Sequence, residues 1–226
     1  MFANMNINEF LIKRYRLSQE ESIVFLQEHN VFINGHKARQ RQTLTKKDGL
    51  SIDGEQIREE HTFSYYAYYK PRGIECTLHP EVENNLFAIL PFKEKLYPIG
   101  RLDKESEGLL ILTNDGRLYK DIALADNFKE KEYEVTVHAL LTEQALQQLK
   151  EGIFIKGRMT RPAIVQLTGS QSFRIILTQG INRQIRRMCY KLGYEVTALK
   201  RTRIASVELE SLTSGAYRVL NKEEIL

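Results

Sequence analysis

Cysteine is nearly absent from this sequence: Cys76 and Cys189 are the only two in 226 residues. Two cysteines cannot build the disulfide framework of a small secreted domain, so a reducing, cytoplasmic setting is expected. Histidine is scarce and scattered, at His29, His36, His61, His79 and His138. No Cys/His cluster has zinc-ligand spacing, and there is no Walker loop or GxGxxG turn, so no metal and no cofactor are expected. Long apolar runs are missing too. None approaches the ~18–20 residues of a membrane span. The opening MFANMNINEF lacks the basic-then-apolar order of a signal peptide. Internal repeats and low-complexity tracts are also lacking. What is present is the composition of a globular protein, 42% hydrophobic and 27% charged, with chain enough for one to two domains with proper cores.

Charge is unevenly placed. The net value of +4 is mild, yet residues 174–203 hold eight Lys/Arg against one acid, Glu195, leaving the rest of the chain net acidic. A local excess of this kind suits a phosphate backbone. It equally suits a solvated surface whose acids come from elsewhere in the fold.

Residues 6–58 read as a small α/β unit. Asn6 with Glu9 and Ser18 with Glu21 form two capping-box pairs, each ahead of an apolar stripe. Asn34-Gly35 and Asp53-Gly54 are dipeptides of type I′ hairpin turns. Two short helices followed by small hairpins, with VxxNG at the join, resemble the S4 RNA-binding domain. The stretch LSQEESIV lacks the arginines that open the second helix in S4 units of RNA-modifying enzymes. Residues 1–60 carry nine Lys/Arg against nine Asp/Glu. RNA contact is therefore expected from the loop 36–47, which holds Lys37, Arg39, Arg41, Lys46 and Lys47 and no acid.

The polar, aperiodic stretch 59–64 (EEHTFS) reads as a linker, giving domains 1–60 and 61–226. From Tyr65 the chain turns β-rich: YYAYY, KLYPIG, LLILT, KEYEVTVH, AIVQL, FRIILT and YEVTAL all read as strands. Thr142 caps a helix over 143–151 that Gly152 stops, and a second helix over 183–192 ends at Gly193. The expected class is α+β, with a mostly antiparallel mixed sheet flanked by short helices.

Three segments carry chemistry. In YPIGRLDKESEGLLILTNDG (97–116), apolar runs flank GRLDKESEG, which places Arg101 and Asp103 on a loop between strands. In KEYEV (131–135), alternation puts Lys131, Tyr133 and Val135 on one strand face. In the helix over 183–192, Ile185, Met188, Cys189 and Leu192 share a face; Arg183, Arg187 and Lys191 share the opposite one, and Arg186 falls at the boundary. Cys189 is therefore a packing residue. A fourth, weaker element, Lys70-Pro71-Arg72-Gly73, reads as a strand-to-turn boundary and a candidate RNA contact.

These strings together resemble the RsuA/RluB/E/F family of bacterial pseudouridine synthases, strongly over 65–220 and moderately over 6–58. QGINRQIRRMC with GYEV and RTRI is most similar to the RluF branch. The resemblance implies that Asp103, in GRLD, is catalytic. It implies that Tyr133 stacks on the target base and that Arg186 pairs with Asp103. Arg101, Arg183 and Arg187 join Tyr133 and Arg186 as substrate-binding residues. It also implies ribosomal RNA of the large subunit as partner, with a tRNA anticodon as a further one, no membrane and a monomeric enzyme. Lys70-Pro71-Arg72-Gly73 is similar to the family's Asn-Lys-Pro-x-Gly, with Tyr69 replacing the Asn. A non-catalytic RNA-binding or ribosome-assembly protein would explain the S4-like unit and the basic run, but not Asp, Tyr and Arg in three separate motifs. An RNA hydrolase lacks its metal carboxylates or His pair.

Overall fold

The computed structural model describes residues 5–45, 47–58, 63–92, 94–123 and 128–225. Lys46 and most of the 59–64 linker lie outside them. The chain divides into two compact units, Met1–Thr62 and Phe63–Leu226.

In the first unit both capping boxes form. Asn6 and Glu9 cap the helix Ile7–Tyr15, and Ser18 and Glu21 cap Gln19–Glu28, each pair exchanging side chain and backbone hydrogen bonds. A four-stranded antiparallel sheet runs in the order His36–Lys37, Val31–Ile33, Leu50–Ile52, Glu55–Arg58. Asn34-Gly35 and Asp53-Gly54 both take positive φ at their hairpin tips, as type I′ turns require. Ile7, Leu11, Leu26, Val31, Ile33, Leu44, Leu50 and Ile52 form the core.

The second unit is built on one sheet, nine-stranded among the described residues. Its main path is Ile164–Gly169, Ser172–Leu177, Lys131–Val137, Val196–Ile204, Glu107–Thr113, Tyr65–Lys70 and Tyr217–Val219. Val207–Glu208 adds to Val196–Ile204, and Tyr97–Ile99 adds to Glu107–Thr113. Every pairing is antiparallel except Val196–Ile204 with Glu107–Thr113, which is parallel and rests on Lys200↔Glu107 and Arg201↔Gly108. The class is the expected α+β with a mixed sheet. Leu109 and Ile111 pack into one core and Leu110 and Leu112 into another. The strand is covered on both faces, which is why its sequence is an unbroken apolar run.

Thr142 caps the helix Glu143–Glu151, which Gly152 ends. The basic helix is one residue shorter at each end than its periodicity predicts. It spans Gln184–Lys191, because Arg183 is the N-cap and sits in the left-handed region at φ 55°. No helix among the described residues is long and apolar enough to cross a membrane.

Candidate active site

The loop 100–106 joins two antiparallel strands that meet at Ile99↔Ile111. Four sets of hydrogen bonds fix it. The Gly73 N–H donates to the Lys104 carbonyl at 2.8 Å, and the Ser106 N–H donates to the Asp103 carbonyl at 3.0 Å. Arg186 Nη2 donates to the Glu105 carbonyl at 3.2 Å and to Ser106 Oγ at 3.3 Å. Arg201 Nη1 donates to the Arg101 carbonyl at 3.4 Å, while its Nε holds the Leu109 carbonyl at 2.7 Å. One guanidinium thus ties the start of the loop to the strand that follows it. Asp103 stands within it, its side chain 26% exposed: reachable by a ligand and held against the protein.

The arginine facing Asp103 is Arg183, with Nη1 3.8 Å from Oδ2. The expected Arg186–Asp103 pair is not among the ion pairs of the described residues, and the reason is geometric. Arg186 Nη1 donates to the Val196 carbonyl at 3.0 Å and its Nη2 holds the loop, so both Nη groups are committed, while its buried Nε has no hydrogen-bond partner among the described residues. Arg186 holds the Asp103 loop through these bonds. Burial and the neighbouring Arg183 charge lower its pKa from the usual arginine value, while the nearby Glu105 and Asp103 charges favour its charged form. Arg183 also donates to Glu105 Oε2 at 2.9 Å, and that hydrogen bond holds the Glu105 carboxyl below the usual range.

Tyr133 is brought to this place. It lies opposite Arg201 in the register and packs half-buried against the cluster containing Leu102. Arg101 is the loosest of the predicted residues, its side chain 72% exposed and 3.7 Å from Glu75; an exposed pair of that length contributes little. Arg187 Nε donates to the Asn182 carbonyl at 3.1 Å. Cys189 is buried in the apolar core and its thiol is pushed up to about 12 by burial, consistent with packing.

The basic run proves to be both things its charge allowed. Arg174 pairs with Glu132, Lys200 with Glu134, and Arg203 with Glu130 and Glu132. Those acids flank or lie on the adjacent strand Lys131–Val137. Arg187 and Lys191 have no ion-pair partner among the described residues, and their helix face retains net positive charge.

Two residues at the site take roles other than those expected from the sequence, and a third was not singled out there. Lys70 is fully buried, its Nζ donating to the Pro71 and Ile74 carbonyls at 2.7 Å each. It ends its strand as expected but cannot touch RNA. Arg201, read as part of a basic surface, is 2% exposed. Gly108 is the cross-strand partner of both Lys70 and Arg201.

Lys70 and Lys131 are buried cations, and burial pushes both down to about 8. A lysine in the unfolded chain titrates near ~10.4. Between about pH 8 and 10 the unfolded chain therefore binds more protons, and these two groups make stability rise with pH. Ionisation of the cysteines in the unfolded chain opposes this, so the comparison is with Lys70→Met. Wild type is expected to gain stability relative to that variant by up to about 1.4 kcal/mol per pH unit across this window. Urea unfolding at pH 8, 9 and 10 measures it, and parallel stability curves would reject the lowered pKa of Lys70.

Residues 64–191 match the family model described as RNA pseudouridylate synthase. Over 226 residues the chain is 38% identical to the dual-specificity RNA pseudouridine synthase RluF of Salmonella typhi, covering 99% of this chain and 78% of that protein. The corresponding protein of Escherichia coli K12 is 36% identical with the same coverage. A ribosomal small subunit pseudouridine synthase A of Pasteurella multocida is 29% identical over 98% of both chains. Among solved structures, a crystal structure of a pseudouridylate synthase superposes with a TM-score of 0.68 at 26% identity, covering 98% of each chain.

Proposed function

This chain belongs to the RNA pseudouridylate synthase family, in the RsuA/RluB/E/F group near RluF, and from that we propose that Asp103 drives isomerisation of a specific uridine in large-subunit ribosomal RNA, with a tRNA anticodon as a second substrate. The observation that carries the assignment of Asp103 is its setting. A reachable carboxylate stands on a loop pinned by hydrogen bonds along its length, with Arg183 Nη1 3.8 Å away and Tyr133 packed against the same cluster as Leu102.

The reaction breaks the N1–C1′ bond, turns the uracil, joins C5 to C1′, releases the C5 proton to solvent and returns a proton to N1. Base and sugar are conserved, so atoms and electrons balance without a redox partner. The uridine must first leave its stack, at a few kcal/mol, less in a loop or bulge. A carboxylate can then attack C1′ or remove a proton from the sugar, and in both roles it must be ionised. Arg183 places a positive charge 3.8 Å from it. Tyr133 offers a ring for the flipped uracil, and Arg187 with Lys191 offers charge for the backbone.

The S4-like unit adds affinity through Lys37, Arg39 and Arg41, whose side chains lie on an exposed segment. The enzyme acts as a cytoplasmic monomer. Incubation with a 23S rRNA transcript and with total tRNA, each carrying tritium at uridine C5, tests the assignment. Tritium release with an alkali-resistant carbodiimide adduct at one former uridine is expected. Folded protein that releases none from either RNA overturns the proposal.

The two neighbouring arginines separate in this scheme. Arg186→Ala removes the donor to two loop positions, and misplacement of a reacting group by ~1 Å can lower the chemical step on the order of 10²-fold. Arg187→Ala should leave that step near wild type and weaken RNA affinity, with the salt slope shallower by roughly 0.9. Single-turnover rates at saturating RNA and salt-titrated binding distinguish them; the reverse pattern would mean that Arg187 supports the loop.

A further inference from the structure

Along the outer face of the Gln184–Lys191 helix lies a cleft of about 470 Å³, within the ~300–1,000 Å³ range of ligand pockets. Lys156, Arg183, Arg187, Tyr190, Lys191 and Tyr194 line it, and Glu195 is its one acid. We propose that this cleft binds an unstacked nucleotide of the RNA strand next to the target uridine, its base on Tyr190 and Tyr194 and its phosphate among the cations. The proposal rests on the reading of Asp103 as the place where a flipped uridine reacts.

Three observations carry it. The first is composition: five of the residues that line the cleft besides Glu195 are Lys or Arg, counting Arg186. They interleave with two tyrosines, the pattern of a single-stranded nucleic acid groove, where cations follow the backbone and rings take the bases. The second is preorganisation. The Tyr194 hydroxyl donates to the Leu140 carbonyl and accepts from the Thr142 N–H, both at 3.2 Å. Its ring is therefore fixed and its polar end already bonded, leaving a π-face as what it offers. Tyr190, in contrast, is 79% exposed. Arg187, Tyr190 and Lys191 stand at i, i+3 and i+4, so one helical strip presents ring and charge together. The third is continuity. Arg183 lines the cleft and also lies 3.8 Å from Asp103. Flipping a uridine breaks stacking with its neighbours, so an adjacent base that leaves the helix needs a second platform within reach of the first.

The test uses the full chain carrying Asp103→Asn, so that affinity is read without turnover, with a 23S rRNA transcript as probe. In this background Tyr190→Ala should raise Kd on the order of tenfold, the effect of one lost stacked base. Tyr190→Phe should restore it, because the ring and not the hydroxyl is used. Lys191→Ala should make the salt dependence shallower by about one phosphate contact. With 4-thiouridine in the transcript, light should cross-link RNA to the segment 190–194. Unchanged Kd for Tyr190→Ala, or cross-links confined to other segments, overturns the subsite and leaves the face to a protein contact. Turnover is scored separately with Asp103 intact. A protein that binds as described but forms no pseudouridine defeats the activity, not the cleft.

Discussion

Asp103→Asn is expected to bind RNA as well as wild type or slightly better, and to lose pseudouridine formation by at least about 10³-fold. The substitution is isosteric and removes both charge and basicity, which either role of the carboxylate requires. The loop should keep its shape. Its fixing contacts run through the Lys104, Asp103, Glu105 and Arg101 carbonyls and Ser106 Oγ, not through the Asp103 side chain. Arg183 also keeps its shorter partner, Glu105 at 2.9 Å. The lost contact with Asp103 is 3.8 Å long and partly exposed, so the stability change should stay within about 1 kcal/mol. Binding improves slightly because one negative charge leaves the approach of a polyanion. Single-turnover tritium release and filter binding, with the melting temperature as control, give all three readings. Turnover within tenfold of wild type would remove Asp103 from the chemistry.

What the sequence made legible was local. Asn6/Glu9 and Ser18/Glu21 cap helices because their bonds span three residues, and Asn34-Gly35 and Asp53-Gly54 turn the chain by their own backbone preferences. The Asp103 loop was legible for the same reason, lying between two apolar strands that follow at short range. What failed needed register between distant strands. Lys70, Gly108 and Arg201 come from three strands and form one row across the sheet. A charged residue read in isolation belongs to the surface, so nothing local marks Lys70 or Arg201 as interior. The helix angles placed Arg186 correctly at the packed boundary. They could not say which carbonyls wait there, nor that Arg183 would leave the helix for a left-handed N-cap. The basic run was overcounted because Glu130, Glu132 and Glu134, some 40 to 70 residues earlier, meet its cations in the adjacent strand.

The same row of residues makes Gly108→Ala the most damaging small change expected in the second unit. Gly108 has φ +105°, and a Cβ there would lie 2.3 Å from the Arg201 carbonyl oxygen and 2.6 Å from its nitrogen. Both atoms are backbone, so no rotamer change relieves the clash. The φ value adds strain for any L side chain. The position is also the shortest pairing along the sheet's main path: the parallel pairing there rests on two residue pairs, one of them Arg201↔Gly108. Pushing those strands apart separates the sheet's halves. It also pulls Arg201 away from the Leu109 and Arg101 carbonyls that it bonds at 2.7 and 3.4 Å, which loosens the Asp103 loop. Strain and overpacking together should cost roughly 3 kcal/mol or more, a fall in melting temperature of about 10 °C for a unit of this size. The fraction that still folds should turn over RNA poorly. Gly116→Ala is the matched control: it lies in the same segment, and an added Cβ meets nothing within 4 Å, so its melting temperature should stay within about 2 °C of wild type. If Gly108→Ala melts as high as Gly116→Ala and keeps full activity, the two strands are not in the close contact described here, and Arg201 cannot be what ties the loop.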